Sequence, residues 1–355
     1  MEAVHEEIIP SLIHALNSIH IKPDIYINRD CKLRRGDIFK EITGLNACIS
    51  YVPINGKPDW QNLQKLIQSK NYNACLFSTY QRKSILDFSL ALEIPVFGIV
   101  HNVSLFIEAF LTSRHAKPKQ DQIRGIITLS EHVCSTLISE FKYASATDLI
   151  TSCIKPYFWQ DISHIDIDVP RHSSTTFVIP GGVNFANRDF KGLIEAIKEM
   201  PISSSQVHFI VAGGGRDRNS LEATVKDLGL DQYFSFAARN SLGWVEYKDY
   251  YECILSSTYV LPLTSNKAYL STKITSAIPT SIGFCKPSLI PEEQKELYKI
   301  PAFPFPGDDL REAIMNVVSC DEMKYLETKN DLKELLSEQL KSNAESTSIL
   351  LSHAT

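Results

Sequence analysis

The sequence predicts an α/β protein with two Rossmann-like, doubly wound domains that face each other across a cleft. Strand-like apolar runs alternate with amphipathic helical stretches along most of the chain, and such alternation is typical of a parallel sheet covered by helices on both faces. A polar, irregular stretch at 161–174 interrupts the alternation, which then restarts. The length of 355 residues is enough for two separate cores.

The first predicted domain spans residues 1–160. It contains apolar runs that predict strands and, between them, three-to-four-residue apolar spacing that predicts helices. The chain opens on a helix-like stretch, Val4–Ile19, which Pro10 should break early, and no strand precedes it. The predicted strands are Asp24–Asn28, Ala47–Pro53, Ala74–Thr79, Pro95–Val100 and Gly125–Leu129, and the predicted helices are Trp60–Lys70, Ser84–Glu93 and Ser130–Lys142.

After a linker at 161–174, the second predicted domain spans residues 175–319. A helical pattern with a frayed polar tail follows at 320–355. The predicted strands of this domain are Thr176–Gly182, Val207–Gly215, Phe234–Ala238, Tyr259–Leu263 and Lys286–Ile290, and the predicted helices are Gly192–Met200, Asn219–Gly229 and Trp244–Ser257.

Composition and charge restrict the class of protein. Hydrophobic residues make up 44% and charged residues 22%, which is ordinary for a globular protein. The net charge of -5 gives no reason to expect nucleic acid or an anionic membrane as the main partner. Eight scattered cysteines without metal-binding spacing predict a reduced, cytoplasmic protein. No signal peptide or membrane span is expected, and peripheral membrane association is left open.

The loop after Tyr259–Leu263 is the most informative part of the sequence. Ligands bind beyond the carboxyl ends of the strands in doubly wound sheets, so this loop should meet one. It carries lysines and hydroxyl groups but no Asp or Glu between Thr264 and Ile290. These groups suit phosphate oxygens and argue against a metal held by carboxylates. The candidates for diphosphate binding here are Lys267, Ser271, Thr272 and Lys273.

A second candidate diphosphate site follows the strand that ends at Gly181 and Gly182. These glycines would let a ligand approach the backbone closely. Arg188 and Lys191 lie three residues apart where the next helix begins, and the two cations could share a diphosphate. The alternative is a solvated helix start with no ligand.

Three further features carry open interpretations. Gly213–Arg216 lies between a strand and a helix, where backbone N–H groups could hold phosphate or the glycines could simply form a tight turn. His101 ends a strand, so it could contact a ligand, transfer a proton or make a structural hydrogen bond. The basic cluster at Lys32, Arg34 and Arg35 is interpreted as a solvated face, with contact to an acceptor phosphate as the alternative.

Motifs for several other chemistries are absent. The sequence has no Gly-x-Ser-x-Gly, no His-Glu-x-x-His and no phosphate-binding loop lysine motif. Hydrolase, ATPase and metalloenzyme functions therefore have little support.

With these features the chain resembles the GT-B fold glycosyltransferases, and most closely the large retaining family 4, which uses nucleotide sugars without a metal. The segment FVIPGGVNFANRDFKGLIEAI is similar to the start of that family's donor domain, where a basic residue and Lys-Gly follow a glycine-rich strand end. VHFIVAGGG and DYYECILSSTYVLPL resemble its next segments. In the first domain, VFGIVHN and IITLSEHV resemble its acceptor-domain segments.

The sequence departs from the family pattern in three ways. The donor loop of the family usually carries two glutamates, and Thr272 and Thr280 stand at those positions. The arginine after the first glycine of the donor domain is missing unless Arg188 replaces it. The first strand of the acceptor domain, with its glycine loop, has no counterpart.

The resemblance implies a hexosyl- or pentosyltransferase of the retaining type whose C-terminal helix crosses back to the first domain. It needs no cofactor, because cations and helix N-termini stabilise the departing diphosphate. The donor would be a nucleotide sugar and the acceptor a glycan or a lipid-linked molecule. His101 would act at the transferred sugar, the diphosphate would meet the glycines, lysines and hydroxyls named above, and Gly214 and Arg239 would bind the nucleotide.

Two other functions fit the same fold. One is a nucleotide-sugar epimerase, although its acid and base residues are missing from the donor loop. The other is a catalytically degenerate GT-B protein that binds a nucleotide sugar or a partner subunit without turnover, for which Thr272 and Thr280 are the reason.

Overall fold

The computed structural model of the chain describes residues 5–42, 44–54, 57–116, 118–145, 150–157, 174–306 and 309–352. The predicted linker at 161–174 lies outside the described residues, apart from Ser174. One group of parallel strands precedes this linker in the sequence and another follows it. We call residues 5–157 the N-terminal lobe and residues 174–320 the C-terminal lobe.

The N-terminal lobe begins with a 3-10 turn, Glu6–Ile8, and contains six strands and six helices among its described residues. The strands are β1 (Asp24–Asn28), β2 (Cys48–Val52), β3 (Cys75–Phe77), β4 (Val96–Val100), β5 (Ile123–Thr128) and β6 (Thr151–Cys153). The helices are α1 (Ile9–Ser18), α2 (Arg29–Arg35), α3 (Lys57–Gln68), α4 (Lys83–Ser89), α5 (Val103–Thr112) and α6 (Glu131–Ser145).

The C-terminal lobe contributes six more strands and six helices within the described range, and a long last helix follows it. The strands are β7 (Thr175–Ile179), β8 (Val207–Val211), β9 (Phe234–Phe236), β10 (Tyr259–Val260), β11 (Ser288–Pro291) and β12 (Ala302–Phe305). The helices are α7 (Phe190–Glu199), α8 (Arg218–Asp227), α9 (Tyr247–Leu255), α10 (Ala277–Gly283), α11 (Glu292–Tyr298), α12 (Leu310–Val318) and then α13 (Glu322–Leu351).

The C-terminal lobe has one parallel sheet in the order β12-β11-β10-β7-β8-β9. This is the doubly wound order, in which the strand sequence reverses between β10 and β7. An apolar cluster that includes Phe177, Phe209 and Ile314 packs against one face of the sheet, and a second one with Val178 and Val260 packs against the other. Loops that follow β7 and β10 must therefore part at the reversal, where such sheets bind ligands.

The parallel strands of the N-terminal lobe form two sheets, β1-β2 and β3-β4-β5-β6. Helix α1 packs against both sheets. Ile9 and Ile13 pack with residues of β1 and β2, whereas Leu12 packs with Phe97 and Ile99 of the larger sheet. An amphipathic helix therefore covers the junction between the two sheets.

The expected break of the first helix at Pro10 is wrong. Pro10 lies in the first turn of α1, where the missing N–H would have had no intrahelical partner, and the helix continues to Ser18. A 3-10 turn precedes it instead. The absence of a strand before this helix agrees with the prediction for the described residues.

Helix α13 crosses back from the C-terminal to the N-terminal lobe, which confirms the predicted crossover. Near its start, Leu332 and Leu336 pack with Ile278, Ile282 and Tyr157. Near its end, Leu350 joins the core under β4 and β5. Between these points Asn343 makes two hydrogen bonds with the backbone of Lys155, of 2.9 and 2.8 Å. The prediction of two doubly wound lobes with a returning helix is therefore confirmed. None of the described helices is long and apolar enough to span a membrane.

Candidate functional site

The loops at the carboxyl ends of the strands of one lobe face those of the other. On one side, the N–H of Val103, just beyond β4, donates to the carbonyl of Thr272 in the loop after β10, at 3.2 Å. On the other side, the side chain of Asn240, beyond β9, donates to the carbonyl of Arg34 at 2.8 Å. The candidate site lies between these two contacts, where both sheets end.

Arg34 and Arg35 form part of this second contact. The guanidinium of Arg34 lies 5.7 Å from the ring of Trp244, and that of Arg35 lies 4.3 Å from the ring of Tyr247. Such contacts between cations and aromatic faces are attractive. The interpretation of this cluster as a solvated face is therefore wrong for these two arginines, while Lys32 pairs with Asp37 near the surface.

Two glycine-rich loops of the C-terminal lobe pack backbone against backbone. A Cβ atom added to Gly213 would lie 1.8 Å from the carbonyl oxygen of Gly181, and one on Gly215 would lie 2.4 Å from that of Val183. The N–H of Val183 donates to the carbonyl of Gly214 at 2.6 Å. This packing supports the tight-turn interpretation of Gly213–Arg216. Gly214 is enclosed on its other side by the carbonyl of Gly243.

Arg188 bridges the two strands between which the sheet order reverses. Its Nε donates to the carbonyl of Gly182, just beyond β7, at 3.2 Å, and its Nη1 donates to the carbonyl of Pro262, just beyond β10. Gly181 has a φ of 83°, and a Cβ there would lie 2.6 Å from Nη2 of Arg188 and 3.4 Å from Oγ of Ser276. Glycine thus lets the guanidinium lie close against the backbone.

The electrostatic surroundings of Arg188 are unusual. Only 7% of the residue is exposed, and it makes no ion pair with any carboxylate of the described chain. Burial lowers its pKa, and the nearest groups that oppose this are the phenols of Tyr269 and Tyr250. A desolvated cation without a counter-ion is costly, and an anionic ligand would relieve that cost.

The loop after β10, residues 264–276, holds its predicted site residues at different depths. Lys267 and Ser271 are exposed, and Thr272 contributes its carbonyl to the contact with Val103. Lys273 is half-buried, with its Nζ 4.4 Å from the ring of Tyr269, and burial lowers its pKa. Tyr269 also acts electrostatically on Arg188, whose pKa it raises against the effect of burial.

Two predicted cations lie at the periphery. The side chain of Lys191 is 86% exposed, and its Nζ lies 3.8 Å from Oε1 of Glu195. Arg239 donates to Asn219 at 2.7 Å and to Glu222 at 3.2 Å. Lys191 thus lies on the surface of helix α7 and Arg239 in the loop after β9, and each is paired with a carboxylate of a surface helix.

Arg218 is a structural residue that the sequence analysis missed. It is 1% exposed and donates to the carbonyl of Gly213 and, at 3.0 Å, to that of Ala237. Its Nε pairs with Glu222 at 2.6 Å. Arg218 thus joins the loops after β8 and β9, and the only signal for it was a second basic residue after the three glycines.

His101 lies at the end of β4 and is 8% exposed. Its Nε2 lies 2.7 Å from the carbonyl of Ser78, and its ring stacks on that of His5 with 3.8 Å between centroids. Burial and the neighbouring His5 hold its pKa well below the usual value. The side chain therefore makes a structural hydrogen bond, and it also stands at the edge where the lobes meet.

Thr272 and Thr280, which the family resemblance singled out, differ in depth. Thr280 in α10 is fully buried, and its hydroxyl donates to the carbonyl of Ser276 at 2.9 Å and lies 3.4 Å from the hydroxyl of Tyr250. Thr272 is half-buried. The described residues contain no group of three or more His, Cys, Asp or Glu side chains that could hold a metal ion.

A cavity of about 380 Å³ lies away from this region. It is bounded by β12, α12 and the start of α13, and its lining includes Phe303, Asp309 and Lys324. None of the predicted site residues lines it. The meeting edges of the two lobes are therefore the candidate site.

Solved structures share the fold over almost the whole chain. HepE from Anabaena, solved with UDP, is similar with a TM-score of 0.64 and 13% identity, over 99% of this chain and 98% of that one. A glycosyltransferase from Rickettsia africae gives 0.62 and 12%, over 99% and 95%. WaaG, a glycosyltransferase of lipopolysaccharide biosynthesis, gives 0.57 and 12%, over 98% and 95%. The chain therefore has the GT-B fold.

No protein-family model and no curated protein matches the sequence. At identities this low the structural likeness shows the fold alone.

Proposed function

We propose that the chain is a glycosyltransferase that moves a hexosyl or pentosyl group from a nucleotide diphosphate onto a glycan or lipid-linked acceptor. The observation that carries this proposal is Arg188, a buried guanidinium at the reversal of the C-terminal sheet that pairs with no carboxylate among the described residues. Because one fold hosts many functions, the argument has to come from such a site. The likeness to UDP-bound HepE adds support.

A diphosphate fits the groups around Arg188. The guanidinium presents a planar set of donors that matches phosphate oxygens, and part of that set is used by the carbonyls of Gly182 and Pro262. Ser276 adds a hydroxyl, and the half-buried Lys273 lies across Tyr269. Positive groups in a desolvated site stabilise the charge that develops on a leaving diphosphate.

The proposed reaction needs no metal, because these cations would take its role. We predict that turnover continues in EDTA at the rate seen without it. Strict dependence on Mn²⁺ or Mg²⁺, measured as nucleotide release after dialysis and metal addition, would contradict this. Retention at the anomeric carbon, as in family 4, also belongs to the proposal, and NMR of the product would show it.

The donor can be found by a thermal-shift screen against UDP, GDP, ADP and dTDP sugars, since a ligand stabilises only the state that binds it. The ligand that shifts the midpoint is then titrated calorimetrically into Arg188→Gln and Lys273→Ala. Both variants should bind more weakly. The control is Arg311→Gln, which removes an exposed cation paired with Glu199 far from the loops. Unchanged affinity in both variants would remove the site.

A second candidate function is binding without turnover, as a degenerate GT-B protein. The family resemblance, which sets Thr272 and Thr280 at the positions of two glutamates, supports it, and so does the burial of Thr280 in the core. Release of nucleoside diphosphate when an acceptor is added distinguishes the transferase from this alternative. A product that remains a nucleotide sugar would indicate an epimerase.

A further inference from the structure

The hydrogen bonds of His101 determine which of its ring nitrogens carries a proton. Its backbone N–H donates to Oε1 of Gln81 at 3.0 Å, which holds the residue at the end of β4. Its Nε2 lies 2.7 Å from the carbonyl of Ser78. A carbonyl oxygen only accepts, so Nε2 must donate, and in a neutral ring Nδ1 is then a bare acceptor. No hydrogen bond of the described residues uses this Nδ1.

The ring of His5 covers one face of His101. The centroids are 3.8 Å apart, and the planes differ by 16°. His5 precedes the 3-10 turn Glu6–Ile8, and its ring makes no hydrogen bond with the described residues. Burial and the charge of Arg82 lower the pKa of His5 to about 4, so two neutral rings stack near neutral pH. The contact between His5 and His101 is therefore a packing contact between neutral rings, and it orients the ring of His101.

The backbone holds His5 in an uncommon conformation. Its φ is 141°, a region that residues other than glycine rarely adopt. The N–H of His5 donates to Oε2 of Glu6 at 3.2 Å, and its carbonyl accepts from Ile8, which packs in the N-terminal core. Conformations of this kind persist when surrounding contacts enforce them, and they concentrate at functional sites.

We propose that His5 is a positioning residue for His101. Its ring holds the imidazole of His101 in the orientation in which Nε2 donates to Ser78 and the bare Nδ1 accepts a hydrogen bond from a hydroxyl of the donor sugar. The sugar part of this inference rests on the proposed function, whereas the fixed tautomer belongs to the protein alone. A residue at the start of the 3-10 turn Glu6–Ile8 thus completes a site formed by strand ends.

The tautomer is tested by nitrogen NMR on protein labelled at its histidines. A protonated and a bare ring nitrogen resonate far apart, and His101→Asn identifies the pair that belongs to His101. The pair should stay far apart in His5→Phe, which keeps a flat ring. In His5→Ala the two resonances should move toward each other, because the ring then samples both tautomers. Unchanged resonances in His5→Ala would overturn the proposal. His115→Ala, at an exposed histidine, is the control.

The sugar contact is tested by calorimetry with UDP and UDP-glucose as probes. His5→Ala should weaken UDP-glucose about fivefold relative to UDP, the effect of one hydrogen bond, and His5→Phe should not. Tighter binding of UDP-glucose to His5→Ala would mean that His5 blocks the site, and the proposal would be wrong. If neither probe binds the unaltered protein, the proposed donor fails, while the nitrogen resonances still decide the role of His5.

Discussion

The two lobes solve the same packing problem in different ways. The C-terminal lobe has six parallel strands in one sheet, with the reversal between β10 and β7. The N-terminal lobe divides its six strands between two sheets, and helix α1 packs across their junction. The C-terminal lobe therefore forms its side of the candidate site with the loops of a single sheet. The N-terminal lobe also depends on the 3-10 turn and helix α1 that precede its first strand. The two sides of the site should therefore differ in stability, because only the N-terminal side depends on the packing of α1 between two sheets.

The largest effect is expected from the glycine loops of the C-terminal lobe. In Gly213→Ala the new Cβ would meet the carbonyl of Gly181 at 1.8 Å, so the two loops must separate. We expect a loss of about 4 kcal/mol in the free energy of unfolding, measured by urea denaturation. The control is Gly182→Ala, where the nearest contact is 3.7 Å and the change should be under about 1 kcal/mol. Equal stabilities would show that the loops are not rigid.

The next effect concerns the arginine that joins the loops after β8 and β9. Arg218→Met removes donors from the carbonyls of Gly213 and Ala237 and leaves Glu222 without this partner. We expect a loss of about 3 kcal/mol in the free energy of unfolding, since a buried network is broken. Arg216→Met, at a side chain that is 67% exposed, should change it by under about 0.5 kcal/mol. A similar small change in both would mean that Arg218 is dispensable.

Acid should lower the stability of the N-terminal lobe through His5. The pKa of His5 is about 4 in the folded protein, against 6.5 as the ordinary value. The unfolded chain therefore binds more protons between these values, and stability falls as the pH drops from 6.5 toward 4. His5→Phe removes this titration, so it should lose about 1 to 2 kcal/mol less than the unaltered protein over that window. Parallel denaturation curves from pH 7 to pH 4 test this, and identical losses would contradict it.

The smallest effects are expected at two lysines of the C-terminal lobe. Lys273 is half-buried beside Tyr269, and Lys191 extends into solvent next to Glu195. We expect Lys273→Ala to weaken nucleoside diphosphate binding about tenfold and Lys191→Ala about threefold, since screening weakens exposed charges. Calorimetry with UDP measures both, with Lys198→Ala on the same helix as Lys191 as the control. A larger loss of UDP affinity in Lys191→Ala than in Lys273→Ala would contradict the assignment of Lys273 as the lysine nearer to the diphosphate.

Much of the fold was readable from the sequence because buried parallel strands are continuous apolar runs. Asp24–Asn28 was predicted with the bounds that it has. Strand β12 was not predicted, because Pro304 argues against a strand, yet β12 lies at the sheet edge, where proline is tolerated. Strand β6 has three residues, Thr151–Cys153, without an apolar pattern.

The candidate site was predictable only in part. Glycines followed by a basic residue indicated Arg188, but its burial against the carbonyl of Pro262, 74 residues away, depends on the sheet order. His5 had no local signal and Arg218 only that of a second basic residue after three glycines, since their roles arise from neighbours distant along the chain. Lys191 was predicted to bind diphosphate only because it lies three residues after Arg188, and helix α7 directs its side chain into solvent.

The chain passes between the lobes near Tyr157 and returns through α13, and these two crossings pack together. Tyr157 lies in one apolar cluster with Leu332 and Leu336 of that helix. Tyr298 packs against this cluster and Ile300 belongs to it, so the ion pair between Lys299 and Glu131 lies close to both crossings. Because both connections between the lobes pass this cluster, a rotation of one lobe relative to the other would have its axis there, and this ion pair would move little.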